Sequence, residues 1–242
     1  MRRAALTAQA RVEMLLTVRR SESLLVTLGI PLGILVFFAE FDAVSSVKNP
    51  VDFLVPGILS LAVMSTAMVS LGIATGYERR YGVLKRLGST PLSRGGLLTA
   101  KTMNVLAIEV LQAVLIVATG IALGWEVTAG IVPAIVLLLI GTVAFAGIGM
   151  LLAGTLRAEA NLAVANGLYL VLLFLGGMAY PLSRLPTGIR YFAEMLPAAA
   201  LSETVRGVLR SSPHLPLGSF AVLVVWAVAT PLLAIRYFRW EE

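Results

Sequence analysis

Apolar residues run in six long blocks along the chain, and the charged positions fall almost entirely between them. A bilayer core of about 30 Å is crossed by about 20 mostly apolar residues in a helix. The blocks therefore predict six transmembrane helices, over residues 23–41, 53–75, 98–123, 131–156, 162–180 and 217–235. The first is the weakest, with a short uncharged core and Pro31 inside it, where a kink is expected. Three segments between or before the blocks carry weaker helical patterns. In residues 1–20, Ala5, Ala8, Val12, Leu15 and Leu16 fall at helical spacing with basic residues elsewhere, which predicts an amphipathic interfacial helix; a frayed basic tail is the alternative. In residues 181–216, Leu185, Ile189, Phe192 and Leu196 share one face, and Leu201, Val205 and Val208 share another, with Glu203, Arg206 and Arg210 away from it. Each is too short and too charged to span, so two interfacial or re-entrant helices are expected there.

The third segment is GYERRYGVLKRLGSTPLSR, Gly76 to Arg94, the most charged stretch of the chain. Tyr77, Tyr81 and Leu84 are spaced by four and three, one helix face, and Arg79, Arg80, Lys85 and Arg86 lie mostly off it. The expectation is one short helix over 77–87, stopped by Gly88, with Pro91 preventing its continuation. On pattern alone it is either a docking element or a basic loop against anionic lipid.

Composition agrees with lipid as the solvent. The 242 residues are 58% hydrophobic and 13% charged, against about 25% charged in soluble domains, and the mean hydropathy is +0.91. The net charge of +6 does not mark a nucleic-acid face, because the basic residues cluster between apolar runs. There is no cysteine and one histidine, His214, so thiolate and multi-histidine metal sites are excluded. The N-terminal residues lack the apolar core of a secretory signal, and no soluble segment of domain size is expected. Of the Lys and Arg residues, fourteen fall on the side holding both termini and the Gly76–Arg94 segment, and five on the other. The positive-inside rule makes the first side the cytoplasm.

The run from Pro56 to Lys101 resembles the ABC-2 type permeases of ABC exporters. The matching residues are Pro56, Gly57, Glu78, Arg79, Gly82, Leu84, Lys85, Arg86, Leu87, Thr90, Pro91, Leu92 and Ser93. Pro181, Leu182 and Ser183 match the start of the outer loop and Leu196–Pro197 its middle, while Ala198–Ala200 replace residues that are often Thr and Tyr or Phe. The likeness is closest to the drug-exporter branch that includes daunorubicin permeases. It implies an all-α membrane fold: one transmembrane domain over 1–242, with the amphipathic N-terminal helix, six spans, a cytoplasmic coupling helix after the second span and short outer helices before the sixth. It implies pairing with a second permease copy or paralogue, contact with membrane lipid, and a separate ATP-binding subunit on which ATP and Mg reside. The chain itself is then expected to bind no cofactor, and its nearest approach to a P-loop, GVLKRLGST, lacks the Gly-Lys pair. By resemblance the ATPase is met by Tyr77, Glu78, Arg79, Arg80, Tyr81, Leu84, Lys85, Arg86 and Leu87.

Polar residues inside the spans are the remaining candidates. Glu109 lies about 12 Å deeper than Lys101 along a helix, and Gln112 follows on the same face. The pair is either part of a translocation path or interhelical hydrogen-bond glue, worth about 0.6 kcal/mol per bond. Asn161, Ser60, Ser65, Thr66 and Ser70 share that ambiguity, and Asn166 is a cavity candidate by resemblance alone. Gly141, Gly147, Gly149 and Gly154 predict close helix packing by the fourth span. The sequence reading is an exporter permease for a lipophilic or amphiphilic substrate, a drug or lipid. The alternatives are a polysaccharide or glycolipid exporter, an intramembrane enzyme using Glu109, and a non-transporting scaffold.

Overall fold

The computed structural model describes residues 21–40, 50–88, 94–126, 130–179, 181–210 and 212–240. The expected amphipathic helix over 1–20 and the Thr90–Ser93 motif lie outside the described residues. Nine helices are named here: α1 (Ser21–Glu40), α2 (Pro50–Arg80), α3 (Val83–Gly88), α4 (Arg94–Ala122), α5 (Ile131–Thr155), α6 (Ala158–Leu175), α7 (Thr187–Glu194), α8 (Pro197–Val208) and α9 (Leu217–Tyr237). No strand occurs among the described residues. The chain is an all-α membrane protein. Helices suit lipid because each backbone donor and acceptor is satisfied within its own segment.

Five of these helices, α2, α4, α5, α6 and α9, are long and apolar enough to cross a membrane. Helix α1 is apolar as well, over Leu28–Glu40 among its described side chains. The helix continues through Pro31. Helix α6 starts earlier and ends sooner than the expected 162–180, because Gly176 caps it and Gly177 takes φ 63°, a left-handed conformation open to glycine.

Helix α2 is the axis of the bundle. Its apolar stretch is the most buried of the spans, and it packs against α1, α4, α5, α6 and α8. Its middle, Ser65–Ser70, is wound as a π-helix, a local widening of the turn that re-aims side chains. Just beyond it α2 crosses α5 closely: a Cβ placed on Gly72 would lie 3.1 Å from the Gly149 Cα. The other small residues expected to pack tightly on the fourth span do so against different elements, Gly141 on Leu201 of α8, Gly147 on Thr230 of α9 and Gly154 on Phe238. Backbone approach of this kind drives helix association where lipid removes the hydrophobic driving force.

The two expected short helices form and differ sharply. In α7, Ile189 and Phe192 are exposed, and Arg190 pairs with Glu194 one turn on. Helix α8 starts with Pro197 in its first turn, where a missing N–H costs nothing. It is buried along almost its whole length against α2, α5 and α9, so it enters the bundle rather than lying on it. That placement corrects one expectation: Arg206, assigned to the polar face with Glu203 and Arg210, is 3% exposed.

Candidate functional site

The expected single helix over 77–87 is two pieces. Tyr77, Glu78, Arg79 and Arg80 are the last turn of α2, which runs unbroken from the span. The break falls at Tyr81–Gly82, where Gly82 takes φ 72°, a conformation that a side chain would strain. Helix α3 then runs to Gly88. The apolar stripe is split accordingly. Tyr77 and Tyr81 stack at 6.2 Å between ring centroids, but Tyr81 is 72% exposed while Leu84 is fully buried. Leu84 seats α3 on the bundle, and Val83, Lys85 and Arg86 around it are exposed.

The residues before the break point inward. Glu78 pairs with Lys101 of α4 at 2.7 Å, and the Lys101 side chain is 1% exposed. Arg79, also buried, donates from Nη2 to the Leu156 carbonyl at 2.5 Å. Leu156 caps the C-terminus of α5, where carbonyls lack intrahelical partners and the helix dipole favours a cation. Arg80 pairs with Glu159 in the first turn of α6. Three successive side chains thus bind the end of α2 to α4, α5 and α6. Buried Asn161 adds a further tie, donating from Nδ2 to the Gly72 carbonyl at 2.8 Å. Of the nine residues proposed from sequence to meet a partner, Glu78 and Arg79 are turned into the bundle, Leu84 is buried, and Tyr81, Lys85 and Arg86 are exposed.

Inside the bundle the structure brings Glu109 and Gln112 together on the buried face of α4. Thr66, within the π-helical turn of α2, donates to Gln112 Oε1 at 2.9 Å, and Thr142 of α5 donates to Glu109 Oε2 at 2.5 Å. These bonds join three spans. The two residues line a cavity of about 250 Å³ between α2, α4 and α5. Asn166 is elsewhere. It is exposed on α6 and lines a cavity of about 230 Å³ with Pro31 of α1, Ser65 and Ser70 of α2, and Tyr169. Its Nδ2 donates to the Leu162 carbonyl one turn back.

At the opposite end, Arg206 of α8 is a site that sequence reasoning missed. Its guanidinium stands 3.9 Å from the centroid of Phe53 at the start of α2, and donates to the Gly177 carbonyl at 2.8 Å and to Glu203 at 2.7 Å. Burial pushes its pKa down to about 10 against the pull of Glu203, so it stays charged at neutral pH.

Residues 5–209 match the family model described as ABC-2 type transporter. No curated protein matches the chain.

Proposed function

The chain belongs to the ABC-2 type transporter family, and on that premise we propose that it is the permease of an ATP-driven exporter for a lipophilic or amphiphilic substrate, a drug or lipid. The family fixes the coarser statement: a multi-pass membrane subunit of an ABC transporter, a class whose permeases work with ABC ATP-binding subunits and are not themselves catalytic. The finer reading places ATP and Mg on a separate subunit, pairs this permease with a second copy or paralogue, and sets both termini and the Gly76–Arg94 segment in the cytoplasm, in accord with the distribution of Lys and Arg.

The observation that carries this reading is the change of exposure across Gly82. From Tyr81 onward, Tyr81, Val83, Lys85 and Arg86 present an apolar and basic surface to solvent. One turn before it, Glu78 is locked to Lys101 and Arg79 to Leu156. A push on the exposed knob therefore reaches α4 and α5 through short buried contacts, as an element that converts domain closure into helix movement requires. Aromatic and arginine side chains are the usual anchors of such interfaces, and the charges set register. Asn166, Glu109 and Gln112 are the translocation-path candidates of this reading, on opposite flanks of α2.

The test is the double substitution Tyr81→Asp with Arg86→Glu. Both side chains are exposed, so the fold is expected to survive. Loss of one anchor costs about 2 kcal/mol or more, roughly 30-fold in affinity. Co-purification of the ATP-binding subunit and ATP-fuelled transport in vesicles should both fall, with thermal stability unchanged. Undiminished co-purification would assign the knob to lipid instead.

A further inference from the structure

We propose that the groove between α2, α4 and α5 binds a lipophilic amine, its protonated nitrogen on Glu109 and its apolar body along the helices. The groove is longer than the cavity at Glu109. A second cavity of about 210 Å³ shares Leu59, Ala113, Val114, Ile135 and Leu138 with the first and continues to Trp125 and Leu209. Its rims are open to the bilayer, since Val110, Val114 and Ile135 are more than half exposed. A membrane-dissolved molecule can therefore enter sideways.

Almost every lining residue is aliphatic, and Glu109 is the single ionisable group among the described residues that line it. Glu109 is only 8% exposed. Thr142 serves Oε2, but Oε1 is buried without a hydrogen-bond partner. A buried carboxyl oxygen left unpaired is costly; no Lys or Arg among the described residues lines the groove, so the group is relieved either by taking up a proton or by a cationic donor from outside, and an amine supplies both. An apolar cleft with a small number of convergent polar groups, here Glu109 and Gln112, is the usual form of a small-molecule site. The missing chemistry is a hydrogen-bond donor with positive charge, placed at the end of an apolar body.

Other occupants fit less well. A phospholipid acyl chain would fill the aliphatic part and leave Oε1 as it is. A second copy of the chain meeting this face about a two-fold axis would bring the same carboxyl and the same aliphatic side chains, hence no cation. The proposal deepens the exporter reading by naming a substrate class, and rests on that reading only for what happens after binding.

Binding is tested on the full chain in neutral phosphatidylcholine nanodiscs, with no ATP and no partner subunit. The probes are radiolabelled dodecylamine and its uncharged counterpart dodecanol, with empty nanodiscs subtracting simple partition. Dodecylamine should bind saturably and more tightly than dodecanol. E109Q should weaken the amine at least tenfold and leave dodecanol unchanged. A113W, which fills the shared part of the groove without touching the carboxyl, should abolish both. Equal amine affinity in E109Q and the unaltered chain overturns the proposal, as does a phospholipid that the amine does not displace. Should E109Q fold poorly, A113W and the preference for amine over alcohol still decide. Transport is scored separately in ATP-fuelled vesicles: saturable binding without transport would sink the exporter reading and leave the site standing.

Discussion

The two ends of α2 are each held by a buried cation from another helix, yet they are built for different purposes. At one end Arg206 of α8 covers Phe53 and reaches the Gly177 carbonyl, and nearly everything around it is buried. At the other, Lys101 of α4 holds Glu78, and within one turn the chain emerges at Tyr81, 72% exposed. The first is a closed joint, the second a joint with a handle. A rod clamped at both ends transmits a displacement only from the end that something outside can grip. On the proposed reading the handle belongs at the Glu78 end, and the closed joint at Arg206 is the fixed point opposite it.

The comparison is sharpened by removing each cation in turn. Lys101→Met removes the buried cation that pairs with Glu78. Breaking a buried pair from one side costs about 3–5 kcal/mol, and the lower figure applies because the Glu78 side chain keeps 20% exposure. Thermal unfolding in detergent should register it, and Lys101→Met combined with Glu78→Leu should recover most of the loss. A double variant as unstable as the single one would mean that packing, not charge, holds this joint. Arg206→Leu should cost less, about 2 kcal/mol, since the guanidinium's hydrogen bond to Gly177 and its contact with Phe53 go but Glu203, 35% exposed, turns to solvent. If Arg206→Leu proves the more damaging of the two, α8 rather than the basic end anchors the rod.

How much of this could be read from the sequence follows from which forces are local. The spans were legible because a bilayer demands long apolar runs, and Gln112 could be placed beside Glu109 because both belong to one helix. Across the basic segment Tyr77, Tyr81 and Leu84 fit the spacing of one helix; the left-handed φ of Gly82 breaks that register, and spacing carries no trace of it. Nothing in the sequence pairs Lys101 with Glu78, or takes Arg206 off the polar face, because their partners, Glu78, Phe53 and the Gly177 carbonyl, lie on other elements. Even so there was a hint. Glu78 is the single acid in GYERRYGVLKRLGSTPLSR, and an acid alone among bases asks for a specific partner.

The smallest expected effect tests whether burial is what separates these contacts from ordinary surface charge. Arg80 and Glu159 join α2 to α6 with side chains 44% and 62% exposed. Exposed pairs are worth about 0–1 kcal/mol and weaken with salt. Glu159 also sits in the first turn of α6, where the helix dipole favours it whether or not Arg80 is present. Arg80→Ala should therefore shift stability by no more than about 0.5 kcal/mol at physiological ionic strength, read as the same unfolding midpoint that Lys101→Met lowers. A loss approaching that of Lys101→Met would erase the distinction. It would mean that the basic end is held by a network of surface charges, which salt should then loosen, and that an incoming partner grips a joint already open to solvent. A null effect leaves Glu78–Lys101 and Arg79–Leu156 as the contacts through which movement at Tyr81 must pass.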